Sequence, residues 1–135
     1  MKVAFVLVAH GSKNKRFYEM VENVARMLER KVGKVHVGYL MGEPSVEEAV
    51  REAEGDVIVV VPFFISESSH VVRDVRERVR KATDGKEVVF ARPLGDHPLV
   101  VEALYQRFLE ALSGEGLRVQ GQVPRERSSP PRHDA

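Results

Sequence analysis

Four apolar, β-branched runs alternate with four amphipathic stretches between Val3 and Leu112. The runs are Val3–Ala9, Val35–Leu40, Val57–Phe64 and Glu87–Ala91, and each reads as a strand. The third, Val-Ile-Val-Val-Val-Pro-Phe-Phe, is apolar throughout, which predicts a central strand covered on both faces. The second alternates: Val35, Val37 and Tyr39 share one face while His36 and Gly38 share the other, the pattern of an edge or half-covered strand. In the first amphipathic stretch Phe17, Val21, Val24, Ala25 and Leu28 recur at helical spacing, and Gly33 is placed to end that helix. A second helix begins at Pro44-Ser45-Val46-Glu47-Glu48, where Ser45 as N-cap and Glu48 three residues on form a capping box. The third spans Ser69 to Ala82 and is expected to bury Val71, Val72, Val75 and Val79. A fourth starts at Asp96 or His97, with Pro98 suited to the first turn, and is expected to bury Val101, Leu104, Tyr105, Phe108 and Leu112.

Strand and helix alternating four times predicts an α/β fold, a four-stranded parallel doubly wound sheet of flavodoxin-like type, with strand order 2-1-3-4. Residues 1–113 form the expected domain. From Ser113 the periodicity stops, and 114–135, rich in Gly, Pro, Ser and Arg, is expected to be a disordered tail. A chain of 135 residues holds one core of this kind.

Composition narrows the chemistry. Cysteine is absent, which excludes disulfides, thiolate metal sites and a cysteine nucleophile, so any transition metal must be held by imidazole, carboxylate or water. The net charge of +1 carries none of the basic excess of a nucleic-acid binder. No apolar run is long enough to span a bilayer, and the one at the start ends in His10-Gly11 without a cleavage pattern, so a cytoplasmic protein is expected.

In such sheets ligands bind beyond the carboxyl ends of the strands. The segments that follow the four runs are His10-Gly11-Ser12, Met41-Gly42-Glu43-Pro44, Ser66-Glu67-Ser68-Ser69-His70 and Pro93-Leu94-Gly95-Asp96-His97. Three of the five histidines thus fall on one rim, with Glu43 and Glu67. Each has a plain structural reading. His10 serves as a turn residue, His97 as a helix start, Glu43 as a partner of the following helix dipole, and Glu67 as a solvated loop residue. His36, in mid-strand, and His133, in the tail, are poor candidates. Two histidines and a carboxylate on one rim nevertheless suit an exchangeable cobalt, nickel or iron(II) ion. Rival α/β chemistries lack their signatures: there is no phosphate-binding Gly-x-x-x-x-Gly-Lys, no Gly-x-Gly-x-x-Gly and no Gly-x-Ser-x-Gly.

Four ordered motifs now resemble one family. They are the first strand with His10-Gly11-Ser12, Glu43-Pro44-Ser45-Val46-Glu47-Glu48-Ala49, Val61-Pro62-Phe63-Phe64 with His70 and Asp74, and Pro93-Leu94-Gly95-Asp96. Together they resemble the short sirohydrochlorin chelatases of the CbiX type over residues 3–112. The resemblance implies that His10 and His70 handle the metal and that Glu43 lies by the site, with Ser12 and Ser69 as neighbouring substrate contacts. Relatives carry glycine beside the second histidine, where this chain reads Glu67-Ser68-Ser69-His70.

The implied reaction is that of a sirohydrochlorin cobaltochelatase of cobalamin biosynthesis, inserting Co2+, with Ni2+ or Fe2+ as alternatives, and needing no organic cofactor. Neutral imidazole suits it, because it holds an ion loosely and also accepts a proton. Arg73, Arg76, Lys13, Lys15 and Arg16 lie near the rim and are candidates to attract substrate carboxylates. The plainer reading of Arg73, Arg76 and Arg80 is a solvated helix face with Asp74 and Glu77 as partners. One small domain offers a single wall to a flat macrocycle, and the resemblance implies a homodimer that supplies the other; neither nucleic acid nor membrane is an expected partner. The alternatives are a non-catalytic metal or tetrapyrrole carrier or sensor on the same fold, and an interaction module in which the histidines are incidental.

Overall fold

A computed structural model describes residues 1–66, 68–114 and 116. Glu67 and nearly all of the stretch read as a tail, 114–135, therefore lie outside the described residues. The chain divides into two units, Met1–His97 and Pro98–Ala135.

The first unit is a parallel sheet with three helices. In chain order the elements are β1 (Val3–Ala9), α1 (Lys15–Val32), β2 (Val35–Tyr39), α2 (Val46–Glu52), β3 (Val57–Pro62), α3 (Ser69–Ala82) and β4 (Glu87–Phe90). The four strands lie in the order β2-β1-β3-β4, as the alternating pattern predicts. The register runs Phe5 to Val35, Val3 to Val57 and Val57 to Glu87. The alternating strand is at an edge, and the continuously apolar one is interior.

Period-two side chains of β1 divide the core between the faces. Ala4, Val6 and Val8 pack with Ile58 and Val60 against α2 and α3, where Val46, Ala49, Val50, Val75 and Val79 are buried. Leu7 and Ala9 pack on the other face with Val21 and Ala25 of α1. The helix boundaries follow local chemistry. Asn14 caps α1 by accepting a hydrogen bond from Arg16 N, and Gly33 caps its end. Ser45 and Glu48 form the expected capping box, while Ser68 accepts from Val71 N at the start of α3.

One ion pair ties the two helices of a face together. Arg78 donates to both carboxylate oxygens of Glu47 at 2.8 Å and, through Nη1, to the Leu40 carbonyl at 2.8 Å. The side chains are only 24% and 27% exposed, and the Arg78 hydrogen bonds hold the Glu47 carboxyl down at about 2. Because the folded value is depressed, this pair's stabilisation is complete above the ordinary 4.5 and is lost as pH falls toward 2. A shift of that size corresponds to at most about 3 kcal/mol. Glu47→Gln should therefore flatten the fall in urea stability between pH 4.5 and 2 relative to wild type; identical pH slopes would show that the pair contributes nothing.

The second unit contains α4 (Pro98–Leu112), which starts at Pro98, just after the expected Asp96 or His97, with the proline in its first turn. It buries none of its residues. Val101, Leu104, Tyr105, Phe108 and Leu112, expected to be core, are 46% to 67% exposed. Periodicity records that a helix is amphipathic, whereas burial needs a second layer to pack against.

Candidate functional site

The backbone of β1 ends at Ala9, and the chain turns out of the sheet at His10-Gly11-Ser12. This turn is fastened to the one following β2. Leu40 N donates to Ala9 O at 2.9 Å and Met41 N to His10 O at 2.8 Å, extending the strand pairing past both strand ends. Gly11 has φ +103°, and a Cβ there would lie 2.2 Å from the Met41 carbonyl oxygen, so the turns close only over glycine. The exposed His10 ring rests on Phe64, with centroids 4.3 Å apart and planes tilted by 32°. Phe64 is itself 5% exposed and belongs to the core beneath the rim. His10 is thus seated across β1 and β3 on a fixed apolar base, which limits its rotamers while leaving the imidazole edge to solvent.

His70 is the second residue of α3 and is exposed, two positions after the Ser68 cap. Ser69 opens the same helix and lines an open groove with Val72, Arg73, Arg76, Glu77 and Arg80. Arg76 lies over the Phe90 ring at 5.2 Å. Among the described residues, neither Asp74 nor Glu77 forms an ion pair with these arginines. Ser12 is occupied locally: its hydroxyl accepts from Asn14 N at 2.9 Å. Glu43 is exposed and lies beside Glu48, whose carboxyl is lowered mainly by the Ser45 backbone hydrogen bond and also by Glu43.

The loops after β3 and β4 are joined in the same way, Leu94 N to Phe64 O at 3.0 Å and Gly95 N to Ile65 O at 2.6 Å. His97 follows, its N–H on Leu94 O at 3.0 Å. The chain just beyond β1 is thus laced to that beyond β2, and the chain just beyond β3 to that beyond β4, at the carboxyl edge of the sheet. Among the described residues, however, no three His, Asp or Glu side chains come together as a ready-made metal cage. His36 stands apart from them, at a cavity lined by Lys2, Val3, Ala4, Val32, Lys34, Glu52 and Glu54, and burial pushes its pKa down.

Three participants were not legible as such in the pattern. Phe64 reads as strand apolarity, yet it is the base for His10. Arg78 and Tyr18 stand in no motif, yet Arg78 holds the Leu40 carbonyl at the foot of the Glu43 turn and the Tyr18 hydroxyl is in contact with both turns.

The family model described as CbiX matches residues 4–111. A sirohydrochlorin cobaltochelatase of Sulfolobus acidocaldarius is 33% identical over 122 residues, covering 87% of this chain and 99% of the relative. Another, of Methanopyrus kandleri, is 32% identical over 142 residues, covering 84% and 99% respectively. The crystal structure of the sirohydrochlorin chelatase SirB from Bacillus subtilis subspecies spizizenii in complex with cobalt superposes with a TM-score of 0.74 at 23% identity. That superposition covers 82% of this chain and 51% of SirB, and bears on the fold. With a matching model over most of its length and relatives matched almost end to end, this chain belongs to the CbiX family.

Proposed function

We propose that the protein inserts a divalent metal ion into sirohydrochlorin, Co(II) foremost and Ni(II) or Fe(II) as alternatives, in cobalamin-type tetrapyrrole synthesis. The observation that carries this reading is the near end-to-end match to two sirohydrochlorin cobaltochelatases. The geometry supports it with an exposed imidazole, His10, seated on Phe64 at the carboxyl edge of the sheet.

In this reading His10 and His70 hold the metal substrate. Insertion exchanges two pyrrole N–H protons for one divalent ion, so it needs groups that release a metal and accept protons. A neutral imidazole does both. A pair of histidines completed by water releases its ion more readily than a closed cage. Glu43, Ser12 and Ser69 flank the histidines as contacts for the substrate's periphery. The ion is itself a substrate, and no organic cofactor enters the balance.

The decisive assay is insertion of Co(II), Ni(II) and Fe(II) into sirohydrochlorin, followed by the change in its visible spectrum. Acceleration over the protein-free rate is expected with Co(II). Tight Co(II) binding without acceleration would make the protein a carrier, and neither binding nor acceleration would leave an interaction module.

A homodimer belongs to the same proposal, because one sheet edge presents one wall to a large flat macrocycle. Sedimentation at micromolar concentration should give twice the 15.2 kDa of one chain. A monomer with full activity would overturn the two-walled picture.

A further inference from the structure

Two turns carry groups assigned above, His10-Gly11-Ser12 and Met41-Gly42-Glu43, and one side chain is wedged between them. The Tyr18 hydroxyl, from the start of α1, accepts a hydrogen bond from Ser12 N at 3.2 Å. It donates to the Met41 carbonyl at 3.4 Å, a long contact but one made from the same oxygen. Since Met41 N also donates to His10 O at 2.8 Å, the two turns and the phenol close a ring of polar contacts.

The surroundings are shaped for this oxygen. A Cβ on Gly42 would stand 2.5 Å from the Tyr18 hydroxyl, and one on Gly11 would stand 3.4 Å away. The ring is held edge-on by Tyr39 at 4.7 Å and by Phe17 at 5.7 Å, which leaves the hydroxyl little freedom. The neighbouring Tyr39 hydroxyl is different: it is buried and has no hydrogen-bond partner among the described residues.

We propose that Tyr18 is a positioning residue of the metal-handling site, its hydroxyl setting the spacing between the His10 and Glu43 turns and hence the geometry at the ion. The role needs a group that donates and accepts from one atom at the tip of a rigid ring, which phenylalanine cannot supply. This inference rests on the reading of His10 as a metal-holding residue. It adds a residue that does not touch the ion and acts through backbone atoms of both turns.

The test uses the full chain and cobalt(II) chloride alone, titrated at about pH 8, where imidazole is neutral, and read in the visible d–d bands. Insertion kinetics and thermal melts accompany the titration. Tyr18→Phe keeps the ring packing, so its melting temperature should fall by only a few degrees. Its Co(II) affinity should drop about tenfold, the scale seen when supporting partners of metal ligands are removed. The d–d spectrum should change shape, and kcat for insertion should fall. Gly42→Ala, which displaces the hydroxyl, should reproduce these changes, and the double variant should be no worse than either single one. Tyr39→Phe removes the partnerless hydroxyl one ring away and should match wild type.

Wild-type affinity and spectrum in Tyr18→Phe would overturn the proposal. So would a loss of Co(II) binding that tracks a large fall in melting temperature and is shared by Tyr39→Phe, since that is a packing effect. If wild type bound Co(II) without inserting it, the chelatase reading would fail while the titrations still judged Tyr18. If wild type bound no Co(II), both would fall.

Discussion

His10→Ala and His70→Ala are each expected to remove most of the Co(II) insertion activity while the fold survives. Both imidazoles are exposed, at a turn and in the first turn of α3, so neither is needed to fill the core. Loss of the His10 ring from Phe64 forfeits one ring contact, worth about 0.5–1.5 kcal/mol. Activity should suffer far more, because the proposed two-histidine site, having lost one imidazole, would no longer hold the ion in place for transfer. Groups acting on one ion behave as a unit, so the double variant should be hardly slower than either single one. His97→Ala should be milder, since its backbone N–H on Leu94 O makes the local turn and persists without the imidazole. Insertion rates, Co(II) titration and circular dichroism on the four proteins decide the matter. Near wild-type rates in both single variants would refute the site assignment even with the family and fold standing.

Gly11→Ala is the next largest effect, and it strikes both stability and activity. At φ +103° an alanine is strained wherever it sits, and here its Cβ would also lie 2.2 Å from Met41 O and 2.8 Å from Met41 C. Those atoms are backbone of the facing turn and cannot swing aside as a side chain would. The turns must part, breaking the Met41 N to His10 O hydrogen bond and moving His10. A loss of about 2–4 kcal/mol is expected, with insertion falling by more than tenfold. Gly33→Ala is the proper comparison, since φ there is +85° but nothing lies within 4 Å of the new Cβ. It should cost about 1–3 kcal/mol, the strain of a backbone conformation that glycine alone adopts freely, and leave chelation alone. Equal urea midpoints for the two variants would show that the seam between the turns is not tight.

What the sequence determined by itself is the part of this protein governed by short-range periodicity and capping. Period two in Val35–Tyr39 marked an edge strand, unbroken apolarity in Val57–Pro62 marked an interior one, and Ser45 with Glu48 marked a helix start; the structure has all three. The strand order and the rim that holds His10 and His70 follow from the same alternation, because parallel strands joined by helices put every following loop at one edge. The tertiary structure alone decided which atoms meet. Phe64 under His10, Arg78 on Leu40 O and Tyr18 between two turns join residues 54, 38 and 23 positions apart, and no local pattern encodes such pairs. It also decided the fate of α4, which buries none of its residues where α3 buries Val75 and Val79. An amphipathic pattern states what a helix can bury, and only the three-dimensional arrangement supplies the surface to bury it against.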